Sequence, residues 1–459
     1  MRRIITLTAI VSLSWTLSGC FNDDDATLPE PTPPPAPTPT AELRVTHAAP
    51  DAPAVNIYAN DAVLAGLENV DYQVSSELLS VDAGTYDVRV EAIVPGGNLD
   101  VIAAELTLEA DTRYDVLAID TVAEGVEPLV VPSSVAAVPA GNARVQIVHA
   151  APNAPTVDIY VTAPDALLAD EQPVATAAFR DFTAALEVPA GDYRVRITPA
   201  GAMTVVYDSG TLELTDGLDV MAAAVQNIQA GESPVALLLA GPSGAAIVAD
   251  ANTPAEVRVV HGISDAPAVD VIANNAVTLV DGLAFPMKTD YLAVEPADYL
   301  LDVVADADNS VIAIDDAPVT LQKGGIYTAI ANSSLASADL DLLIDMPRSV
   351  ATEAKVRIVH ASPSAGAVDI YVTADGAIDN VDPAFSNVPY NTADLAETGY
   401  VSLAPGDYVV TVTPTGTKTA ALETSTLMLE GGEIYTAIAV DGTEPGIPVQ
   451  LIGLDGLAN

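Results

Sequence analysis

Cysteine is nearly absent from this chain of 459 residues, which contains only Cys20. A single cysteine rules out an intrachain disulfide, so any folded domain must rest on its apolar core. Long apolar runs are absent as well. After Cys20 the longest candidate, residues 235–248, is interrupted by Gly-Pro-Ser-Gly at 241–244 and falls short of the roughly 20 residues that span a bilayer. These absences exclude a disulfide-stapled scaffold and a bundle of membrane-spanning helices.

Basic side chains are scarce, since 16 Lys and Arg stand against 63 Asp and Glu, for a formal net charge of −47. A surface of this sign repels phosphate backbones, which excludes a nucleic-acid partner. Two interpretations of the acidity remain: solubility at high salt, or loose capture of divalent cations. The first is favoured and no metal site is predicted, because no carboxylates show the D-x-[DN]-x-[DN]-G spacing of a calcium loop.

Familiar catalytic motifs are also missing. The chain has no H-E-x-x-H, no G-x-S-x-G and no Gly-rich phosphate loop. Nothing singles out a pair of carboxylates for glycoside hydrolysis among the 63 acids. The sequence therefore predicts a protein that is not an enzyme and that needs no cofactor.

The N-terminus has the parts of an export signal: two arginines after Met1, then an apolar stretch over residues 4–15. The next four residues, Leu-Ser-Gly-Cys at 17–20, resemble the lipobox of bacterial lipoproteins, where the chain is cut before the cysteine and the thiol is acylated. This resemblance predicts a signal peptide at residues 1–19 and lipidation of Cys20. The alternative is an ordinary secretory signal with a chance cysteine.

A tether follows the predicted anchor over residues 20–42, where proline alternates with threonine and alanine. Proline at that density favours an extended polyproline-like segment that holds the rest of the chain away from the membrane. By analogy with lipoprotein sorting, Phe21, rather than aspartate, after the cysteine indicates the outer membrane. The predicted location is therefore the outer membrane, through a lipid anchor, on either its periplasmic or its cell-surface face.

One motif recurs four times and contains every histidine of the protein. These histidines are His47, His149, His261 and His360, separated by 102, 112 and 99 residues. A period of about one hundred residues indicates four domains in tandem. The predicted domains cover residues 43–132, 144–240, 256–347 and 355–454. Between them, short Pro-, Gly- and Ala-rich linkers such as 133–143 and 241–255 predict an elongated particle with some bending.

Within each copy, apolar residues alternate with polar ones in short segments bounded by Gly, Pro, Asp and Asn, which is typical of β-strands. About seven such strands per copy predict an all-β fold, four tandem immunoglobulin-like β-sandwich domains after the signal peptide and tether. A Gly-x-Tyr-like turn also enters one strand of each copy and resembles the tyrosine corner of such sandwiches. Its tyrosines are Tyr86, Tyr193, Tyr299 and Tyr408.

The repeated histidine lies on the apolar face of its strand, because His47 is two residues from Val45 and four from Leu43. Prolines at 50 and 53 then force the chain to turn. A neutral imidazole there is predicted to cap the loop by bonding unpaired backbone groups. This structural interpretation is favoured over a metal or catalytic role.

The alternative joins each histidine to nearby oxygen ligands. The sets would be His47 with Asp51 and Asn56, and His261 with Asp265 and Asp270. One nitrogen and one or two oxygens are too few for a closed zinc site. In addition, the fourth copy has Ser364 where the first has Asp51.

The segment from His47 to Tyr58 reads HAAPDAPAVNIY, and the second copy ends its motif at Tyr160 and the fourth at Tyr371. These strings resemble the signature of the domain of unknown function family 4397, found in exported and lipid-anchored bacterial proteins, often in tandem. The resemblance implies an extracytoplasmic β-sandwich repeat with no assigned activity. The third copy departs from the pattern at Gly262, Ser264 and Ile272, and the fourth at Gly366. The repeated tyrosines are predicted to be structural, like the histidines.

Anchor, tether and repeats together favour a non-catalytic cell-envelope lipoprotein that presents a four-domain array for adhesion, binding or scaffolding, because linked weak sites gain avidity. Its expected partners are the membrane, through the lipid anchor, and an envelope or surface protein or glycan. The alternatives are a cation-dependent envelope stabiliser or sensor and, third, an envelope-polymer hydrolase.

Overall fold

The computed structural model describes residues 38–392, 394–443 and 448–457. The predicted signal peptide, Cys20 and most of the tether lie outside these residues. The described residues form 35 strands and three 3-10 turns, and contain no α-helix. Among them, no helix has the length and apolarity needed to cross a membrane. Every strand belongs to one unit of the chain, Pro39–Asn459.

The first copy contains eight strands. They are β1 (Thr40–His47), β2 (Val55–Ala59), β3 (Ala62–Val63), β4 (Leu79–Asp82), β5 (Gly84–Ala92), β6 (Leu99–Leu108), β7 (Thr112–Ile119) and β8 (Glu127–Ser134). They form two sheets of order β4-β1-β7-β8 and β3-β2-β5-β6. All pairs are antiparallel except β1 with β7, which run parallel. This one parallel pairing joins the two ends of the copy into the same sheet.

The second copy repeats the plan with one additional strand. Its strands are β9 (Asn142–His149), β10 (Val157–Thr162), β11 (Ala175–Ala177), β12 (Leu186–Pro189), β13 (Gly191–Pro199), β14 (Tyr207–Leu214), β15 (Asp219–Gln226), β16 (Val235–Gly241) and β17 (Gly244–Val248), with a 3-10 turn at Leu168–Asp170. The sheets are β12-β9-β15-β16-β17 and β11-β10-β13-β14. Strand β17 lies inside residues 241–255, which were predicted to be a linker.

The third copy returns to eight strands. They are β18 (Ala255–His261), β19 (Val269–Ala273), β20 (Val277–Leu283), β21 (Leu292–Val294), β22 (Ala297–Ala305), β23 (Asp308–Leu321), β24 (Ile326–Asn332) and β25 (Asp339–Ile344), with a 3-10 turn at Leu335–Ser337. The sheets are β21-β18-β24-β25 and β20-β19-β22-β23.

The fourth copy has the same central strands, but its edge strands are divided into shorter segments. Its strands are β26 (Ala354–Ala361), β27 (Val368–Thr373), β28 (Phe385–Val388), β29 (Ala396–Glu397), β30 (Val401–Leu403), β31 (Gly406–Pro414), β32 (Leu422–Glu423), β33 (Leu427–Leu429), β34 (Ile434–Asp441) and β35 (Val449–Asp455), with a 3-10 turn at Pro363–Ala365. One sheet is β29-β26-β34-β35, with β30 also on β26. The other is β28-β27-β31-β32, with β33 also on β31.

In each copy the two sheets enclose an apolar core. In the first, Val45 and Leu43 of β1 face Ile57 of β2 and Val90 of β5. Corresponding clusters fill the other three copies. The predicted all-β class and tandem β-sandwich domains are thus confirmed.

The tyrosine of the Gly-x-Tyr-like turn closes a short loop in every copy. Its hydroxyl donates to the carbonyl oxygen four residues earlier, at 2.7 to 2.9 Å, with acceptors Asp82, Pro189, Glu295 and Ala404. This is the tyrosine-corner geometry that the sequence predicts, and it orients the strand that pairs with the end of the histidine motif.

The sheet that contains the histidine strand, which we call the inner sheet, has central strands buried on both faces, whereas in edge strands such as β4 and β12 half-buried residues alternate with exposed ones. Between the first two copies, the inner sheets pack their remaining faces together through Leu117, Ile119, Val148, Met221 and Leu238. Between the third and fourth copies, the corresponding residues are Val260, Ile330, Val359, Ile438 and Ile452. The four copies therefore form two pairs of sandwiches.

The two pairs also contact each other. Arg348 donates to the carbonyl oxygens of Pro50 and Ala52 and pairs with Asp71, and the amide of Ala351 donates to Asp51 O at 2.8 Å. The expectation that linkers let the copies bend is therefore not met among the described residues, because neighbouring copies share apolar faces and hydrogen bonds. Apolar faces of the inner sheets pack across the linker at 133–143 and between the third and fourth copies.

Candidate functional site

The repeated histidine ends the first strand of each copy and closes the loop that follows. Its Nε2 lies 2.7 to 3.1 Å from the carbonyl oxygen six residues later, which belongs to Pro53, Pro155, Pro267 and Gly366 in turn. All four residues are at most 2% exposed. Because a carbonyl oxygen only accepts, Nε2 carries the proton and donates it. The same bond with Gly366 as acceptor shows that the loop, rather than proline itself, is what the imidazole holds.

In the third and fourth copies the other ring nitrogen also bonds to the loop. Nδ1 of His261 accepts the amide of Ile263 at 3.3 Å, and Nδ1 of His360 accepts that of Ser362 at 3.4 Å. Burial lowers the pKa of His261 and His360, although the backbone carbonyl contact acts in the opposite direction. Burial lowers the pKa of His47 too. These three imidazoles are therefore neutral near pH 7, and in His261 and His360 one ring nitrogen donates while the other accepts.

An aromatic ring stands edge-on to each imidazole, a neighbour that sequence reasoning missed. The rings are Tyr72, Phe179, Phe285 and Tyr390, with centroids 5.9 to 6.3 Å from those of the histidines. Each follows its histidine by 24 to 30 residues, so a search for aromatics at that offset could have found them. These rings also contact the neighbouring copy. Tyr72 donates its hydroxyl to Gln226 O at 2.7 Å, and Tyr390 donates to Asn332 Oδ1 at 3.0 Å.

The structure does not bring the alternative ligand set together. Asn56 lies between Val55 and Ile57, whose side chains enter the core, so it points to the opposite face from His47. Its Oδ1 accepts the amide of Asn69 at 2.9 Å. In the third copy, Asp270 likewise alternates with core residues and accepts the amide of Gly282 at 2.8 Å.

Asp51 and Asp265 are used to hold the loop. Asp51 Oδ1 accepts the amide of Val122 at 2.9 Å, and Asp265 Oδ1 accepts that of Leu335 at 2.8 Å, each just beyond the strand parallel to the histidine strand. In the fourth copy donor and acceptor are exchanged. Ser364 of the loop donates its amide and hydroxyl to Asp441 Oδ1. A serine in place of the aspartate therefore keeps the same connection.

The repeated tyrosines are covered by neighbouring side chains. The guanidinium of Arg89 lies 3.7 Å from the ring centre of Tyr58, and Lys418 Nζ lies 4.3 Å from that of Tyr371. Tyr160 is buried, and its hydroxyl contacts the sulfur of Met203. Tyr160 and Tyr371 are thus buried, and Arg89 covers one face of the Tyr58 ring.

Two groups of three carboxylates lie close together in the third copy. They are Asp270, Asp281 and Asp306, and Asp302, Asp315 and Asp316, with candidate ligand oxygens within 4.8 Å of one another. Asp270 and Asp302 already accept backbone amides. Within the described residues, no histidine joins such a group. Carboxylates grouped on an acidic surface do not by themselves make a cation site.

Replacing His261 by alanine is expected to lower the free energy of unfolding by about 2–4 kcal/mol, because it removes two buried hydrogen bonds and leaves a cavity. The matched variant is His261→Gln, whose amide can still donate towards Pro267 O and should lose clearly less. Thermal unfolding of the two variants beside the unchanged chain measures the difference. Equal stability of His261→Ala and the unchanged chain would contradict the loop-closing role.

A second titratable group joins the third and fourth copies. Asp341 accepts the side-chain amide of Asn332 at 2.6 Å and the backbone amide of Leu395 at 3.4 Å. Burial raises the pKa of Asp341 to about 6, while the Leu395 contact lowers it and nearby Asp339 and Asp394 raise it. The folded pair therefore favours the protonated carboxyl.

Stability is expected to fall as the pH rises from about 4 to about 6, because a raised pKa in the folded state stabilises it only while the group is protonated. Other carboxylates titrate in the same range, so the readout is the difference between the unchanged chain and Asp341→Asn. The two proteins should have similar free energies of unfolding at pH 4, and the variant should be the more stable one at pH 7. A difference that stays constant across this range would show that Asp341 is not the group responsible.

Comparison with known proteins places these repeats in a family. The family model described as "Domain of unknown function (DUF4397)" matches residues 41–160 and 255–371, just over half of the chain. Each match starts in the first strand of one pair and ends in the second strand of its partner copy, at Tyr160 or Tyr371. No curated protein matches the chain. With sandwiches that repeat one histidine loop and family matches in both pairs, this chain belongs to the family of domains of unknown function DUF4397.

Proposed function

We propose that this protein is a non-catalytic cell-envelope lipoprotein whose paired sandwiches hold and present a binding surface. The observation that carries the proposal is the use of the histidine in all four copies. Its Nε2 donates to a loop carbonyl every time, so the motif's titratable side chain maintains the fold and is not directed at a substrate.

The repetition itself supports binding over catalysis. An active site needs one constellation of residues, whereas four similar modules multiply a surface and allow several weak contacts to act together. Packing the modules in pairs keeps that surface at a defined spacing, because the inner sheets cannot separate without exposing apolar area. A rigid presenter of repeated surface suits an envelope or surface protein or a glycan as partner.

Membrane attachment is the part of the proposal that rests on the N-terminal sequence. The Leu-Ser-Gly-Cys segment supplies the acylation site, and the Pro-rich stretch after it supplies distance. Several acyl chains would anchor the chain durably, since each buried CH₂ contributes about 0.8 kcal/mol. The excess of acidic side chains keeps the presented domains soluble and away from anionic lipid headgroups.

The test compares the full-length chain with Cys20→Ala in a Gram-negative host. We expect the unchanged chain to incorporate labelled palmitate and to fractionate with membranes. The Cys20→Ala variant should remain unlabelled and should not fractionate with membranes. Protease added to intact cells then reports the side of the membrane, with a periplasmic protein as control. An unlabelled chain in the soluble fraction would refute the lipoprotein assignment. Cells that lack the protein but attach normally, together with no partner in pull-downs from intact cells, would refute the binding role.

A further inference from the structure

The first sandwich contains a cavity that none of the preceding roles uses. It measures about 110 Å³ and lies between the two sheets. Its walls come from both sheets and include Val45, Ile57, Val88, Ile102 and Val130. Ala104 and Glu105 also line it and are exposed, so the cavity reaches the surface beside β6.

The cavity differs in size between copies, and so does one cross-strand pair of residues. In the first copy Ala59 of β2 pairs with Val88 of β5, and both line the cavity. The second copy has Val161 opposite Val195, and its cavity at this place is about 50 Å³.

The third copy keeps the alanine, as Ala273, but sets Leu301 opposite it, and its cavity measures about 10 Å³. Each of these two copies therefore has a larger side chain on one side of the pair. Of these three copies, only the first has alanine on one strand and valine opposite it on the other. It also has the largest of the three cavities.

The lining chemistry selects the ligand class. Apart from Glu105 at the surface, the polar side chains of the lining are Thr46, His47 and Tyr86, and each already has a hydrogen-bond partner. The remaining side chains are aliphatic. A polar or charged guest would lose its hydration without a partner. Apolar cavities of about 150 Å³ in protein cores stay dry and bind benzene or xenon.

We propose that the first sandwich binds a small, uncharged, apolar molecule of about the size of benzene between its sheets, beside Ala59 and Val88. This inference does not depend on the lipoprotein assignment. It gives the first copy a capacity that the smaller cavities of the second and third copies do not offer, although all four copies have the same fold.

The test uses residues 39–459, the unit that holds every strand, purified without detergent so that no alkyl chain occupies the cavity. Benzene is titrated and followed by methyl NMR, with benzoate as the charged probe of the same shape. We expect saturable binding of benzene at one site per chain, shifts at the methyl groups of Val45, Val88 and Ile102, and no saturable shift with benzoate.

Two variants copy residues already present in this chain. Ala59→Val reproduces the second copy, and Val88→Leu reproduces the third, so each places a side chain that the same fold accommodates elsewhere. Either should weaken benzene binding by roughly tenfold or more while the methyl spectrum stays dispersed. The proposal is overturned by the absence of saturable benzene binding, by equal binding of benzoate, or by unchanged benzene affinity in both single variants.

Discussion

Replacing Arg44 by alanine is expected to destabilise the first pair of sandwiches by about 3–5 kcal/mol, among the largest effects of a single substitution in this chain. Arg44 is 1% exposed and pairs with Asp115, which is equally buried. It also donates to the carbonyl oxygens of Ala240 and Gly241 in the second copy. Without the guanidinium, a carboxylate and two carbonyl groups lose their partner inside the interface.

The second copy supplies the control. In the parallel pair where the first copy has Arg44 opposite Asp115, the second has Gln146 opposite Met221. The double variant Arg44→Gln, Asp115→Met therefore removes both charges together, and should recover most of the loss, because the cost comes from leaving one charge unpaired.

Denaturant unfolding of residues 39–459 and of both variants measures these effects. The half-exposed pair of Arg89 and Asp100 provides the surface comparison, and Arg89→Ala should cost clearly less stability than Arg44→Ala. If the double variant were as unstable as Arg44→Ala, the buried charge would not be the cause of the loss.

Separating the third sandwich from the fourth is expected to make it self-associate or unfold. Residues 255–346 on their own would expose Val260 and Ile330, which are fully buried against the fourth copy, together with Leu343. Burial of each such side chain contributes about 1.5–3 kcal/mol, so the loss is large for a domain of this size. The exposed face would also offer an apolar patch to a second molecule.

Residues 255–457, which contain both sandwiches, are the matched control and should be monomeric with a single cooperative unfolding transition. Size-exclusion chromatography with light scattering reports association, and circular dichroism reports unfolding. A single sandwich that stayed monomeric and melted at the temperature of the pair would show that the copies fold independently.

Local pattern determined the fold class and the number of copies. The alternation of Val45 and Leu43 with Arg44 is enough to predict a strand with an apolar face, and four histidine motifs at intervals of about one hundred residues are enough to count four sandwiches. The tyrosine corners could also be predicted, because that turn and its hydroxyl bond lie within five residues. Such features depend on neighbours along the chain.

The loop role of His47 was within reach for the same reason, since its acceptor is six residues away. The burial of Arg44, by contrast, could not be predicted from the sequence. Arg44 alternates with the core residues of its strand, a pattern that predicts a solvent-exposed side chain. In the folded protein the second copy covers that face of the sheet.

One signal for this pairing was present in the apolar runs of β15 and β34, which do not alternate as a half-exposed strand should. Such a run shows that both faces of a strand are buried, but it does not name what covers the second face. Only the tertiary structure decided that the inner sheets pack in pairs, which aromatic ring meets each histidine, and how much space remains between Ala59 and Val88. All three depend on side chains brought together from distant strands, and sequence periodicity carries no information about those distances.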